Sequence, residues 1–194
     1  MPIARARHSL RLPAALLLLV AGCSAPAAVS LPTRPPVPDG WVEIVRASVQ
    51  VAVPDEWGPD IGGDPGSVFL SALLPPGNKD GVGLIAVGPR GERQPDPPFT
   101  DDRLAKFLLT WGTSRQPEVY SRSIVLLPAG RAVAIRATHM PATPDSTEVH
   151  VYGIPTSVGV AVIQIVVDTD LMDRYGSAMD LIPYLFQFGF AESR

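Results

Sequence analysis

The chain has one cysteine, Cys23, three histidines, and only two lysines, Lys79 and Lys106, among sixteen basic residues. A lone cysteine excludes an internal disulfide, because no second thiol exists to pair with it. No G-x-S-x-G elbow occurs, so the chain lacks the sharp strand-to-helix turn that presents a nucleophilic serine in many hydrolases. Long hydrophobic runs are also scarce. The apolar stretch Leu12 to Ala21 is about half of the roughly 20 residues that a spanning helix needs, and Gly159 to Val167 is strand-sized and closes at Asp168.

The first twenty-odd residues carry the clearest pattern. Arg5, Arg7 and Arg11 form a cationic lead, the apolar run follows, and Val20-Ala21-Gly22-Cys23 closes it. This order reads as an export signal. The closing tetrapeptide resembles the lipobox of bacterial lipoproteins, which implies cleavage before Cys23, a thioether from Cys23 to diacylglycerol, and an anchor on the outer side of the cell membrane. A thiol reserved for lipid also accounts for the absence of a partner cysteine. The rival is ordinary cleavage after Ala25-Pro26-Ala27, which releases a soluble protein. Residues 1–22 are thus expected to be a signal peptide.

Three of the sixteen basic residues and none of the nineteen acidic ones precede Cys23, so the remainder holds thirteen basic and nineteen acidic residues, net −6. That sign argues against nucleic acid as a partner. About 170 residues after the signal suit one domain with a real core. Residues 23–39 form the lipidated terminus and a tether: Pro26, Pro32, Pro35, Pro36 and Pro38 favour an extended path, and the sixteen residues from Ser24 reach at most about 50 Å at ~3.1 Å each. Residues 40–190 are expected to be a single α/β domain.

Trp41 to Val53 alternates in the two-residue period of half-buried strands, giving two short strands closed by Pro54-Asp55-Glu56-Trp57. Ser67–Leu74 and Val82–Val87 suggest a hairpin. Thr100 or Asp101 caps a helix whose Leu104, Phe107, Leu108 and Trp111 share one face, with Gly112 and Pro117 marking its end. Glu118–Leu127, Arg131–His139, Thr147–Ile154 and Val158–Val167 are four strands with short turns, and so an antiparallel run. A closing helix from about Leu171 to Phe188 carries Leu171, Tyr175, Met179, Ile182 and Phe186 as an apolar stripe, with Pro183 expected to kink it. The fold class is therefore α+β: an antiparallel sheet of about six to eight strands flanked by two main helices.

That element order, with Val51-Ala52-Val53-Pro54-Asp55-Glu56-Trp57, Leu127-Pro128-Ala129-Gly130-Arg131-Ala132 and the closing helix after Asp168-Thr169-Asp170, resembles the PsbP-like α/β/α sandwich, including the LpqN-type group of actinobacterial envelope lipoproteins. The resemblance spans about Trp41 to Phe190. It implies a binding or accessory protein of the cell envelope and transfers no site residue.

Chemistry-bearing patterns are few. Gly81-Val82-Gly83-Leu84-Ile85-Ala86 matches G-x-G-x-x-A but follows a turn and opens a strand, whereas a dinucleotide site needs a helix there. Pairing around Pro144-Asp145 would set His139 opposite His150, with Asp145 or Glu148 as a third metal ligand. An acid in a loop is a poor third, and surface or edge histidines are the plainer reading. Ser67 and Ser71 sit in an apolar strand, and a Ser/His/Asp set using either histidine lacks support. Asp101 and Asp102 are adjacent on a helix, where they suit its N-terminus better than an acid pair. The tail Tyr184-Leu185-Phe186-Gln187-Phe188-Gly189-Phe190 reads as core, or else as one wall of an apolar groove with Phe107 and Trp111. The expectation is a non-enzymatic envelope lipoprotein held in the membrane by lipid on Cys23, with no metal or cofactor. It would act as an interaction or accessory module for an envelope protein. The alternative is a carrier or sensor of an apolar ligand such as a glycolipid.

Overall fold

The computed structural model describes residues 30–46, 49–57, 69–73, 75–77, 83–89, 95–110, 118–139 and 146–189. The chain divides into two compact units, Met1–Ser30 and Leu31–Arg194, and every element below belongs to the second. Cys23, Trp111, Gly112, Pro117, Asp145, Phe190 and the apolar run before Cys23 lie outside the described residues.

Nine strands and two α-helices are described. Trp41–Arg46 (β1) and Val49–Pro54 (β2) form an antiparallel pair from Trp41↔Pro54 to Arg46↔Val49. Phe69–Leu73 (β3) pairs with Leu84–Val87 (β4). After Asp101–Thr110 (α1) come Glu118–Leu127 (β5), Gly130–His139 (β6), Thr147–Pro155 (β7) and Val160–Asp168 (β8). The bounds of these last four strands agree with the sequence reading to within two residues. Their alternation is local, and the turns carry their own Pro and Gly signals.

The strands divide between two sheets, in the orders β3-β4-β8-β7-β6-β5 and β1-β2-β9, with every pairing antiparallel. The third strand of the small sheet, Gln187–Phe188 (β9), corrects the expected closing helix. That segment is a 3-10 turn at Thr169–Leu171, an α-helix at Met172–Leu181 (α2) and a second 3-10 turn at Ile182–Leu185, before the chain extends at Phe186. Pro183 stands at the start of the second turn. It has no N–H for the i→i−4 ladder, and a proline ring crowds the carbonyl four residues before it, here that of Met179. The helix therefore tightens and stops instead of continuing through a kink.

Alternation gives the six-stranded sheet two buried faces. Val133, Ile135 and Ala137 of β6, Val149 and Val151 of β7, and Val160, Val162 and Val166 of β8 pack with Leu104, Ala105 and Leu108 of α1. Their neighbours Ala132, Ala134, Tyr152, Ile154, Ala161, Ile163, Ile165 and Val167 pack with Tyr175 and Met179 of α2, with Ile182 and Phe186, and with Val49, Val51 and Val53 of β2. One helix therefore covers each face, as an α+β sandwich requires. Gly153 lets α1 approach closely, since a Cβ there would lie 3.0 Å from both methyl carbons of Leu108. Gly130 opens β6 at φ +143°, a conformation that glycine tolerates and residues with a Cβ rarely adopt.

The proline-rich segment is tied to the domain through Arg34. Its guanidinium donates to the Leu185 carbonyl at 3.1 Å and pairs with Glu43. Leu185 ends the second 3-10 turn, so this bond occupies a carbonyl that the turn leaves free.

Candidate functional site

The polar groups that stand out lie on the α2 face of the large sheet, at the end where β6 turns into β7. Along β7, Glu148, His150 and Tyr152 point to one face at the two-residue period. All three are buried, His150 at 2% exposure and Glu148 at 8%. A strand sequence that alternates E-H-Y with valines ordinarily turns its polar residues to water. Here α2 and the turn after it lie over them instead.

The row is held by contacts from β5, β6 and α2. Tyr120, the extra residue of the bulge between Val119 and Ser121 in β5, donates its hydroxyl to Glu148 Oε1. The same oxygen lies 3.0 Å from His150 Nε2. With Glu148 ionised, that contact places the ring proton on Nε2 and leaves Nδ1 as a lone pair. Nδ1 is buried with no hydrogen-bond partner among the described residues, and Asp180 Oδ1 of α2 stands 3.8 Å away. Arg136 is the register partner of His150 on β6, and its guanidinium donates to that same Asp180 oxygen at 2.7 Å. The Arg136–Asp180 pair thus forms a bar from the sheet to α2. Its side chains are 44% and 55% exposed, so water reaches the bar but not the row beneath.

Burial sets the electrostatics. It pushes the Glu148 carboxyl up, with Asp180 adding in the same direction. His150 is held down to about 4 by burial first and by Arg136 second, with Asp180 opposing. Tyr152 is pushed up to about 12, again chiefly by burial. At neutral pH the imidazole is therefore uncharged.

The residues singled out from sequence are distributed differently. The register pairs His139 with Thr147 and His150 with Arg136, so the two histidines are not partners across β6 and β7. This corrects the expected opposition: the pairing is offset by three residues from a turn centred on Pro144-Asp145. Among the described residues, no group of three or more His, Cys, Asp or Glu is placed to hold a metal ion. Asp101 forms a two-bond ion pair with Arg131, at 2.8 and 2.7 Å, and Asp102 pairs with Arg122 at 2.7 Å. Thr100 supplies the cap of α1, its hydroxyl oxygen accepting the Arg103 N–H at 3.4 Å. The two acids dock α1 onto β5 and β6. Leu84–Val87 of the glycine-rich stretch is a strand between β3 and β8. Phe186 is fully buried and Phe188 packs against the same cluster, whereas Phe107 packs on the cluster of the opposite face. The sheet stands between them, so one groove cannot be lined by both.

Sequence reasoning does not single out Tyr120, Arg136, Tyr152 or Asp180. Period-2 spacing of Glu148, His150 and Tyr152 is a visible signal. What it lacks is any indication that α2 covers that face.

The chain is an α+β protein with two antiparallel sheets and a helix on each face of the larger one. No family model matches it, and no curated protein matches it. Among solved structures it is similar to one described as LpqN involved in cell envelope biogenesis of Mycobacterium tuberculosis. The two are 16% identical, the match covers 78% of this chain and 80% of that one, and the TM-score is 0.39. No residue here takes a role from that likeness.

Proposed function

We propose that this protein is a cell-envelope lipoprotein, anchored by lipid on Cys23 at the extracytoplasmic face of the membrane, whose α+β domain serves as a non-enzymatic interaction or accessory module. The observation that carries the reading is the order of cationic lead, short apolar run and solitary cysteine in Arg5 to Cys23. Among the described residues no helix is long and apolar enough to cross a membrane, so the lipid is the anchor this reading needs. Two acyl chains contribute roughly 0.8 kcal/mol per buried methylene, which suffices for stable attachment. Arg34 is tied to Leu185, so this reading takes its tether from the residues before Arg34.

The polar row supports a non-enzymatic reading in one respect: Glu148 and His150 are engaged with Tyr120 and each other beneath a covering helix. The carrier alternative draws on a groove shared by Phe107 and the C-terminal aromatics, and their placement on opposite faces of the sheet does not favour it.

Replacing Cys23 with Ala tests the anchor. The variant is expected to lose its lipid label and leave the membrane fraction; retention of both would refute the lipoprotein reading. Native mass spectrometry of the lipoprotein extracted from its own envelope tests the module. A discrete small-molecule mass beyond the acyl chains would replace it with the carrier.

A further inference from the structure

We infer that His150 is a proton-operated release for the Arg136–Asp180 bar: a solvent proton arriving at Nδ1 puts a cation inside the covered row, and the C-terminal end of α2 lifts from the sheet. This inference is independent of whether Cys23 is lipidated. It begins from geometry. With Glu148 ionised, Nδ1 is a buried lone pair that has no hydrogen-bond partner among the described residues, and Asp180, the anion beside it, is 3.8 Å away and already bonded to Arg136. A proton there gains little from Asp180, because that carboxylate is neutralised by Arg136 and more than half exposed to water.

The other groups around the ring do not hold the new charge either. Arg136 of β6 repels it. Burial holds the Tyr152 hydroxyl on β7 protonated, Tyr184 stands in the turn after α2, and the Tyr120 hydroxyl on β5 is spent on Glu148. Ile165, the register partner of His150 on β8, is apolar. Among the described residues around the ring Glu148 is the one inner anion, and burial makes it take a proton more readily than an ordinary carboxylate. As pH falls Glu148 is neutralised, and the imidazolium is then left with no inner counter-charge.

Proton linkage gives this release a definite sign. A histidine whose folded value lies at about 4, below the ordinary 6.5, contributes stability that is full above pH 6.5 and is lost as pH falls toward 4. Over that interval the open form gains roughly a hundredfold over the closed one for a single proton. Glu148, shifted the other way, favours the closed form as it is neutralised and so offsets part of the loss. The two residues therefore give opposite signatures.

The test follows the ring carbon resonances of His150 by NMR in the full chain from about pH 7.5 down to about pH 3.5, a range that brackets both the ordinary and the lowered histidine values. Alongside it, amide exchange at Asp180–Leu185 is compared with exchange in α1, corrected for intrinsic rates. The expected result is a titration near pH 4 and a local increase in opening at Asp180–Leu185, up to about a hundredfold, with α1 still protected. His150→Gln should abolish the acid-dependent increase, and Glu148→Gln should retain it. Asp180→Asn, which removes the bar, should raise opening at neutral pH. A ring that titrates near its ordinary value, acid opening that persists in His150→Gln, or simultaneous exposure of α1 would each overturn the inference.

Discussion

At the residue scale, the chemistry of the polar row depends on one oxygen. Glu148 Oε1 accepts from both the Tyr120 hydroxyl and the His150 Nε2–H, so removing one donor leaves the other to hold the carboxylate. Tyr120→Phe is expected to lower stability by about 1–2 kcal/mol at neutral pH, read by urea denaturation, because a bond to a charged acceptor is lost while the ring remains. Glu148's raised value gives the pH dependence of that position. Its contribution is full below the ordinary value of 4.5 and declines as pH rises through the shifted one. Glu148→Gln should therefore flatten stability on the neutral side of that range. By contrast, the Asp101 carboxyl, lowered by its bond to Arg131, is a surface group whose favourable interaction is present at neutral pH and lost in acid.

At the element scale, the two helices dock by different means. α1 settles over Gly153, where Leu108 occupies the space a side chain would fill. Gly153→Ala is expected to cost about 1–3 kcal/mol in thermal or urea unfolding, since the methyl group and Leu108 cannot both keep their places. Combining it with Leu108→Ala should cost less than the sum of the two single changes, because the smaller side chain admits the methyl. The closing segment is held by its last hydrophobic residues. Phe186 is fully buried in the cluster that joins the two sheets, and Phe186→Ala is expected to destabilise the domain by about 3–5 kcal/mol. A cooperative transition at lower denaturant would place Phe186 in the core, whereas an unchanged midpoint would contradict that role. Legibility in the sequence follows the range of these interactions. The strands from Glu118 to Val167 are readable because each alternation and each turn lies within a few neighbouring residues. The start of α1 is likewise marked by Thr100 and the two acids. The stop of the closing helix has a local mark in Pro183, but the strand after it does not: apolar residues continue at helical spacing through Phe186, and the pairing of Val49 with Phe188 draws the chain into a strand. Such a pairing joins opposite ends of the domain and leaves no local trace.

At the scale of the whole molecule, the sequence by itself determined the solitary cysteine after its basic and apolar lead, the acidic balance beyond it, and the periods that make the domain α+β. These are counts and local spacings, and no folding is needed to read them. Tertiary structure decided how the strands divide between two sheets, which aromatic residues share a face, and that Glu148, His150 and Tyr152 are covered. The physical reason is that burial belongs to pairs of surfaces. A strand's alternation distinguishes its two faces, but only the helix that lands on a face removes it from water and shifts the proton affinities beneath.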